Sequence, residues 1–163
     1  MIVVVMGVSG SGKTTVGQQL AARLGLPYAE ADDFHPPANV AKMAAGHPLT
    51  DADRRPWLDA IAAWIDARRA TGTGGVVTCS ALRRAYRDRL AAGRPDVRLV
   101  HLRGDKALIA ARLAARRGHF FKAALLDTQF AALEEPTPDE GVLTVSVDRP
   151  PAEIVDDIAT RLT

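Results

Sequence analysis

The sequence contains one cysteine, Cys79, in 163 residues, so no disulfide can form within the chain. No group of cysteines and histidines has the spacing of a zinc site. A disulfide scaffold and a structural zinc module are thereby excluded, and a reducing, cytoplasmic setting is expected, with any metal arriving on a ligand. Long apolar runs are missing too. The longest, Ile2 to Met6, stops at Gly7 and follows no basic segment, so it fits neither a signal peptide nor a spanning helix, and no membrane partner is expected. Charge of one sign is not concentrated: 21 Lys and Arg are interspersed with 19 Asp and Glu for a net +2. Without a basic block and interleaved aromatics, nucleic acid is not an expected partner. Internal repeats, low-complexity tracts and interdomain linkers are also absent.

What is present is an ordinary globular mixture, 47% hydrophobic and 25% charged, in a length that fits one domain over residues 1–163. Apolar runs of strand length alternate with longer helical patterns. "MIVVVM" reads as a buried first strand, and Thr15 to Leu24 carries Val16, Leu20 and Leu24 at helical spacing before Gly25 ends it. Further strands are expected at Leu26 to Glu30, in "GGVVTCSA", in "DVRLVHLRG" and in "GVLTVSVDRP". Helices are expected at Pro37 to Ala45, Asp51 to Ala70, Leu82 to Ala92, Asp105 to Arg117 and Pro151 to Leu162, with Thr50 and Asp53 forming a capping box. This alternation predicts an α/β fold of three layers, a five-stranded parallel sheet with helices on both faces. Two segments interrupt it, Phe34 to Ala70 and Gly118 to Thr137, and these are expected to form a substrate cover and a lid.

The first strand runs into "GVSGSGKT", Gly7 to Thr14, which matches G-x-x-x-x-G-K-[ST] between a strand and a helix. Such a loop cradles phosphate with the backbone N–H groups of Gly7, Val8, Ser9, Gly10, Ser11 and Gly12, at a helix N-terminus that favours anions. Lys13 brings positive charge to the β- and γ-phosphates, Thr14 offers its hydroxyl to Mg²⁺, and Thr15 follows on the helix. ATP and Mg²⁺ are therefore the expected cofactors. The chain lacks N-K-x-D and D-x-x-G, the marks of a GTPase, and has little length for a mechanical domain. A small-molecule kinase fits better, with a lid to keep water from the phosphoryl group. Arg112, Arg116 and Arg117 end a helix before Gly118, a candidate hinge, and His119. They are expected to face the nucleotide and neutralise the transferring group, against the alternative of a solvated helix end. Arg112 can instead stack on adenine above the turn that ends at Pro150.

Asp32 and Asp33 follow the second strand at the carboxyl end of the sheet, where ligands of open α/β folds sit. Asp32 is placed to take the proton of an acceptor hydroxyl. Asp33 remains open between the pocket and a turn. Trp57 and Trp64 read as core residues.

The blocks "GVSGSGKTT", "ADDFHPPANVAKMAAGHPLTDADRRPWL", "CSALRRAYRDRL", "GHFFKAALLDTQFAALEEP" and "VDRP" resemble, in order and without large gaps, the gluconokinase family. The resemblance implies a P-loop kinase fold, related to shikimate and nucleoside monophosphate kinases, in a cytoplasmic and often dimeric enzyme. It implies ATP-dependent phosphorylation of D-gluconate at the 6-hydroxyl, a homodimer, and Asp32 as the residue that meets that hydroxyl. His35 and Lys42 fall in the motif of the substrate cover, His35 either as a ligand or packed by its neighbours. Arg54 sits where a related kinase grips a carboxylate, a task suited to a guanidinium fork, unless the side chain is solvated. Ser80, Arg83 and Arg87 are further substrate contacts, Arg84 is left to solvent, and Gln129 with Phe130 anchors the return helix of the lid. The family reads D-G-D where this chain has Glu30-Ala31-Asp32. The longer acid and the loss of glycine put a water-mediated magnesium contact there in question. A nucleotide-binding module without transfer activity is the rival reading.

Overall fold

The first strand, β1 (Ile2–Met6), has all five of its side chains buried. Such a strand must be covered on both faces, and the alternation of a β-strand divides its residues between them. Ile2, Val4 and Met6 enter one core with Ile61, Ile65, Val77 and Leu90. Val3 and Val5 enter the other with Val16, Leu20, Ile154 and Ile158. Full burial of one such side chain contributes about 1.5–3 kcal/mol, which makes β1 a well-anchored element. The computed structural model describes residues 1–117 and 123–163. In it β1 pairs in parallel with β3 (Gly75–Thr78) and β4 (Val97–Arg103). Outside these lie β2 (Tyr28–Glu30) and β5 (Leu143–Ser146), giving the order β2-β3-β1-β4-β5 with parallel pairing throughout.

Helices α1 (Lys13–Leu24) and α7 (Pro151–Leu162) cover one face, while α3 (Asp51–Thr71) and α4 (Arg84–Ala91) cover the other. The expected three layers are therefore present. A smaller cluster of Val8, Ile109, Leu113 and Leu126, with Phe130 against it, packs the loop after β1 under α5 (Lys106–Arg117) and α6 (Ala123–Ala132). The remaining helix, α2 (Pro37–Ala44), starts on Pro37, whose missing N–H costs nothing in the first turn.

β2 begins two residues later than the sequence suggests. The Leu26 N–H is spent on the carbonyl of Ala21, 2.9 Å away, closing α1 around Gly25 in the left-handed region at φ 66°. The capping box forms as expected: Thr50 Oγ1 accepts from Asp53 N at 3.1 Å, and Asp53 Oδ2 accepts from Thr50 N at 2.8 Å. The segment expected to be a substrate cover also supplies core residues. Trp57, Leu58, Ile61 and Ile65 of α3 are buried, so this helix forms part of the core as well as a rim. In the region expected to be a lid, α6 and the chain to Thr137 are described. The hinge expected at Gly118 and His119 lies outside the described residues, as does the Arg117 side chain.

One close approach sets the distance from α1 to the sheet. A Cβ added at Gly17 would stand 2.7 Å from Thr78 Cγ2 and 3.0 Å from Tyr28 Cε2. Gly17→Val is therefore expected to overpack this contact and lower stability by about 1–3 kcal/mol. A fall in the urea midpoint at unchanged m-value checks it.

Candidate active site

The phosphate loop hangs from the fixed end of β1 and delivers the chain to α1 through Gly12, which has φ 94°. Only glycine adopts such a backbone without a Cβ penalty. Lys13 folds back over the loop, its Nζ donating to the carbonyls of Gly7 at 2.9 Å and Val8 at 3.0 Å. Burial lowers its pKa from the ordinary lysine value, while the neighbouring Cys79, Asp32 and Glu30 oppose that shift. Of these three, the carboxylates carry the opposing charge, because burial pushes the Cys79 thiol up to about 12 and keeps it neutral. Gln129 of α6 holds the loop from the other side. Its Oε1 accepts from Ser9 N at 2.6 Å and its Nε2 donates to Ser9 Oγ at 2.9 Å. The anchoring expected of Gln129 and Phe130 is present, and it reaches the phosphate loop itself.

Two cavities meet along this loop. One, of about 280 Å³, is lined by Lys13, Thr14, Glu30, Asp32, Ser80 and Arg116, among others. The other, of about 620 Å³, runs from Gly10 and Thr15 between Arg112 and Arg116 to Arg149 and Pro150. Arg116 borders both. The sequence thus placed Asp32, Ser80, Arg112, Arg116 and Pro150 on cavities at the phosphate loop. Asp33 is exposed and does not line the smaller cavity.

The other residues expected at the substrate line neither of these cavities. Arg87 is 1% exposed, and its guanidinium meets the Glu140 carboxylate in parallel, Nε to Oε1 at 2.7 Å and Nη2 to Oε2 at 3.3 Å. Its Nη1 donates to the carbonyls of Ala81 at 3.0 Å and Leu82 at 3.2 Å. With its donors held in this way Arg87 stands apart from the cavities at the phosphate loop, where the sequence reading had expected a substrate contact. Lys42 lies 2.5 Å from Asp53 Oδ2 and ties α2 to the start of α3. His35 stacks on Trp57, with centroids 4.5 Å apart and planes 8° from parallel, and its Nδ1 lies 3.3 Å from Asn39 Nδ2. His35 is thus packed by its neighbours, and burial lowers its pKa. Arg54 sits over the Tyr86 ring at 5.8 Å, with its Nη1 3.4 Å from the Tyr86 hydroxyl. Arg83 lines a separate surface cavity with Asp51, Tyr86 and Glu134. Arg84, left to solvent by the sequence reading, is paired with Asp139 at 2.5 Å.

The departure from D-G-D turns out to be accommodated. Ala31 is buried, outside the left-handed region, and starts a short 3-10 turn that ends at Phe34, so no glycine is needed there. Trp57 fixes this turn by donating from Nε1 to the Ala31 carbonyl at 2.7 Å. The sequence reading placed Trp57 in the core without seeing that task. The longer Glu30 side chain is held by the Tyr28 hydroxyl on Oε1 and by Thr78 Oγ1 on Oε2 at 2.8 Å. Burial would raise the Glu30 pKa, but hydrogen bonds from Tyr28, Thr14 and Thr78, with the charge of Lys13, outweigh it and leave the carboxyl below its ordinary range. The donors around Thr14 are thus hydroxyl and carboxylate oxygens, a set that suits Mg²⁺ completed by phosphate oxygens and water. Among the described residues no group of three or more His, Cys, Asp or Glu could hold a metal by itself.

A depressed carboxyl adds stability that is present above its unfolded pKa and lost as pH falls through the lower folded value. Tyr28→Phe removes one of the hydrogen bonds that depress Glu30. The expected result is an upward shift of the Glu30 titration, read by carboxyl NMR, and a stability that depends less on pH in that acid window. An unmoved Glu30 titration would contradict this account.

The fold and sequence have close counterparts. A family described as an AAA domain matches residues 2–136. The gluconokinase of Gluconobacter oxydans is 48% identical over 155 residues, covering 95% of this chain and 87% of that protein. Among solved structures, an unliganded sugar kinase from Janibacter superposes with a TM-score of 0.88 at 49% identity, over 98% of this chain and 92% of that one. A gluconokinase from Sinorhizobium meliloti gives a TM-score of 0.84 at 43% identity, over 99% and 94%. With a phosphate loop, a parallel sheet and an acidic turn in one frame, and such identity over nearly the whole length, the chain belongs to the gluconokinase family of P-loop kinases.

Proposed function

We propose that the protein transfers the γ-phosphoryl group of ATP to the 6-hydroxyl of D-gluconate, giving ADP and 6-phospho-D-gluconate. The observation that carries this reading is the single small cavity bordered by Lys13 and Thr14 on one side and Asp32 and Ser80 on the other. A phosphate donor and a hydroxyl acceptor can meet there at hydrogen-bonding range of both groups. Gluconate is the acceptor named for the relatives in Gluconobacter oxydans and Sinorhizobium meliloti.

In this mechanism Asp32 accepts the proton of the attacking hydroxyl as the new oxygen–phosphorus bond forms. The bond from the γ-phosphorus to the bridging oxygen of ADP breaks in the same displacement. Lys13 leaves the carbonyls of Gly7 and Val8 for phosphate oxygens, so its charge meets the negative charge of the transferring group. Arg116, which borders both cavities, and Arg117 share that task, while Arg112 and Pro150 flank the base. Backbone N–H groups of the loop beyond Gly7, as far as Thr15, hold the phosphates. Thr14 would hold Mg²⁺ through its hydroxyl, with Glu30 as the acid that would orient its water, and the ion would supply positive charge against the phosphates. Ser80 contacts the acceptor. Arg54 and Arg83 remain candidates for its carboxylate. The reading extends to a homodimer in the cytoplasm. The latter fits the lone buried thiol of Cys79, and the former is checked by the mass in solution.

A coupled ADP-release assay with gluconate and with shikimate tests the substrate. Turnover on gluconate well above that on shikimate is expected, and equal turnover would sink the assignment. Asp32→Asn is expected to lower kcat by at least about a hundredfold, the lower end of general-base contributions, with ATP binding nearly unchanged. Near-normal turnover would remove Asp32 from the mechanism.

A further inference from the structure

Ala81 is the one non-glycine residue with positive φ, 47°, among those described. An L-residue with a side chain resists this conformation, so something must hold it there. Ala81 is fully buried and follows Ser80, which lines the cavity between phosphate loop and acceptor. The chain on each side is tied down. The Gly7 N–H donates to the Ser80 carbonyl at 3.3 Å, and the Glu134 N–H donates to the Leu82 carbonyl at 2.7 Å. Between these two ties, Arg87 takes the carbonyls of Ala81 and Leu82 on one nitrogen.

The guanidinium is itself fixed by Glu140, which is 4% exposed at the side chain. Glu140 Oε2 also accepts from Thr137 N at 2.8 Å, closing the capping box of the short turn Pro138–Glu140. A buried ion pair gives little net stability compared with apolar side chains of the same volume. Its geometry, by contrast, is specific: the planar fork of arginine meets a carboxylate on one edge while another nitrogen remains for two carbonyls. Lysine offers charge without that fork.

We propose that Arg87 and Glu140 form a buried clamp that holds Ala81 in the left-handed turn and thereby positions Ser80 for the acceptor. Arg87 is a positioning residue, acting through the carbonyls of Ala81 and Leu82 and touching neither substrate. The clamp rests on the reading of Ser80 as part of the gluconate site. It joins two stretches far apart in the chain, the loop after β3 and the segment that follows α6, so the acceptor side of the cavity depends on chain beyond the lid region.

The test pairs Arg87→Lys, which keeps the charge opposite Glu140 and so protects folding, with Ala81→Gly, which lets the turn form without a Cβ penalty. Arg87→Lys is expected to lower kcat/KM for gluconate by about a hundredfold, as a small misplacement remote from the chemistry can do, and to leave the affinity for ATP nearly unchanged. The double variant, Arg87→Lys with Ala81→Gly, is expected to recover much of that loss. A merely structural ion pair would not be relieved by glycine at a position it contacts only through a carbonyl. Hydrogen exchange provides a readout independent of gluconate: the amides of Gly7 and Glu134 should exchange faster in Arg87→Lys and be restored in the double variant. Wild-type kinetics in Arg87→Lys, equal loss of ATP affinity, or no recovery with Ala81→Gly would overturn the clamp. Exchange that follows the expected pattern in a protein with no gluconate turnover would leave the turn-holding clamp standing and overturn the substrate reading instead.

Discussion

The burial of β1 on both faces is the constraint from which the rest of the site follows. Its five side chains alternate between two cores, so neither a shift of one residue nor a rotation is compatible with both. The strand's end is therefore fixed in position and direction. Gly7 begins the phosphate loop at that point, and β3, the neighbouring strand, leads into the Cys79–Ser80 stretch beside it. The phosphate loop and Ser80 are brought together because two adjacent parallel strands end on the same edge of the sheet.

The acidic turn shows how a sequence can depart from a motif and keep its geometry. Glutamate for aspartate adds one methylene to Glu30, and the added length is taken up by Tyr28 and Thr78, on β2 itself and on β3 beside it. Those two residues also form the wall against which Gly17 packs, so the place of the carboxylate and the distance from α1 to the sheet are set by the same two side chains. Trp57 completes the arrangement by holding the Ala31 carbonyl and stacking on His35.

Most of the fold was legible in the sequence because its signals are local. Alternating apolar runs, Gly25 at the end of α1 and the Thr50–Asp53 box each lie within a few residues of what they determine. The phosphate loop is legible for the same reason. The basic residues of the acceptor side were not, because their partners are distant in the chain. Arg87 meets Glu140 across 53 residues, and Lys42 meets Asp53 across 11. A sequence displays charge but not whether that charge is already matched. His35 was ambiguous on similar grounds, since a histidine that binds a ligand and one that lies flat on a tryptophan have the same neighbours in sequence. No short-range pattern marks Ala81, because nothing around an alanine announces a positive φ.

Gln129 adds a link between parts of the molecule that are distinct in the chain. Its amide occupies the Ser9 N–H from α6, a helix more than a hundred residues further along the chain. A ligand that claims that N–H must displace a side chain of α6, and a movement of α6 frees the N–H for a ligand. The two events draw on one hydrogen-bond donor, so each shifts the equilibrium of the other by the same free energy. The phosphate loop and α6 are in this way two ends of one competition.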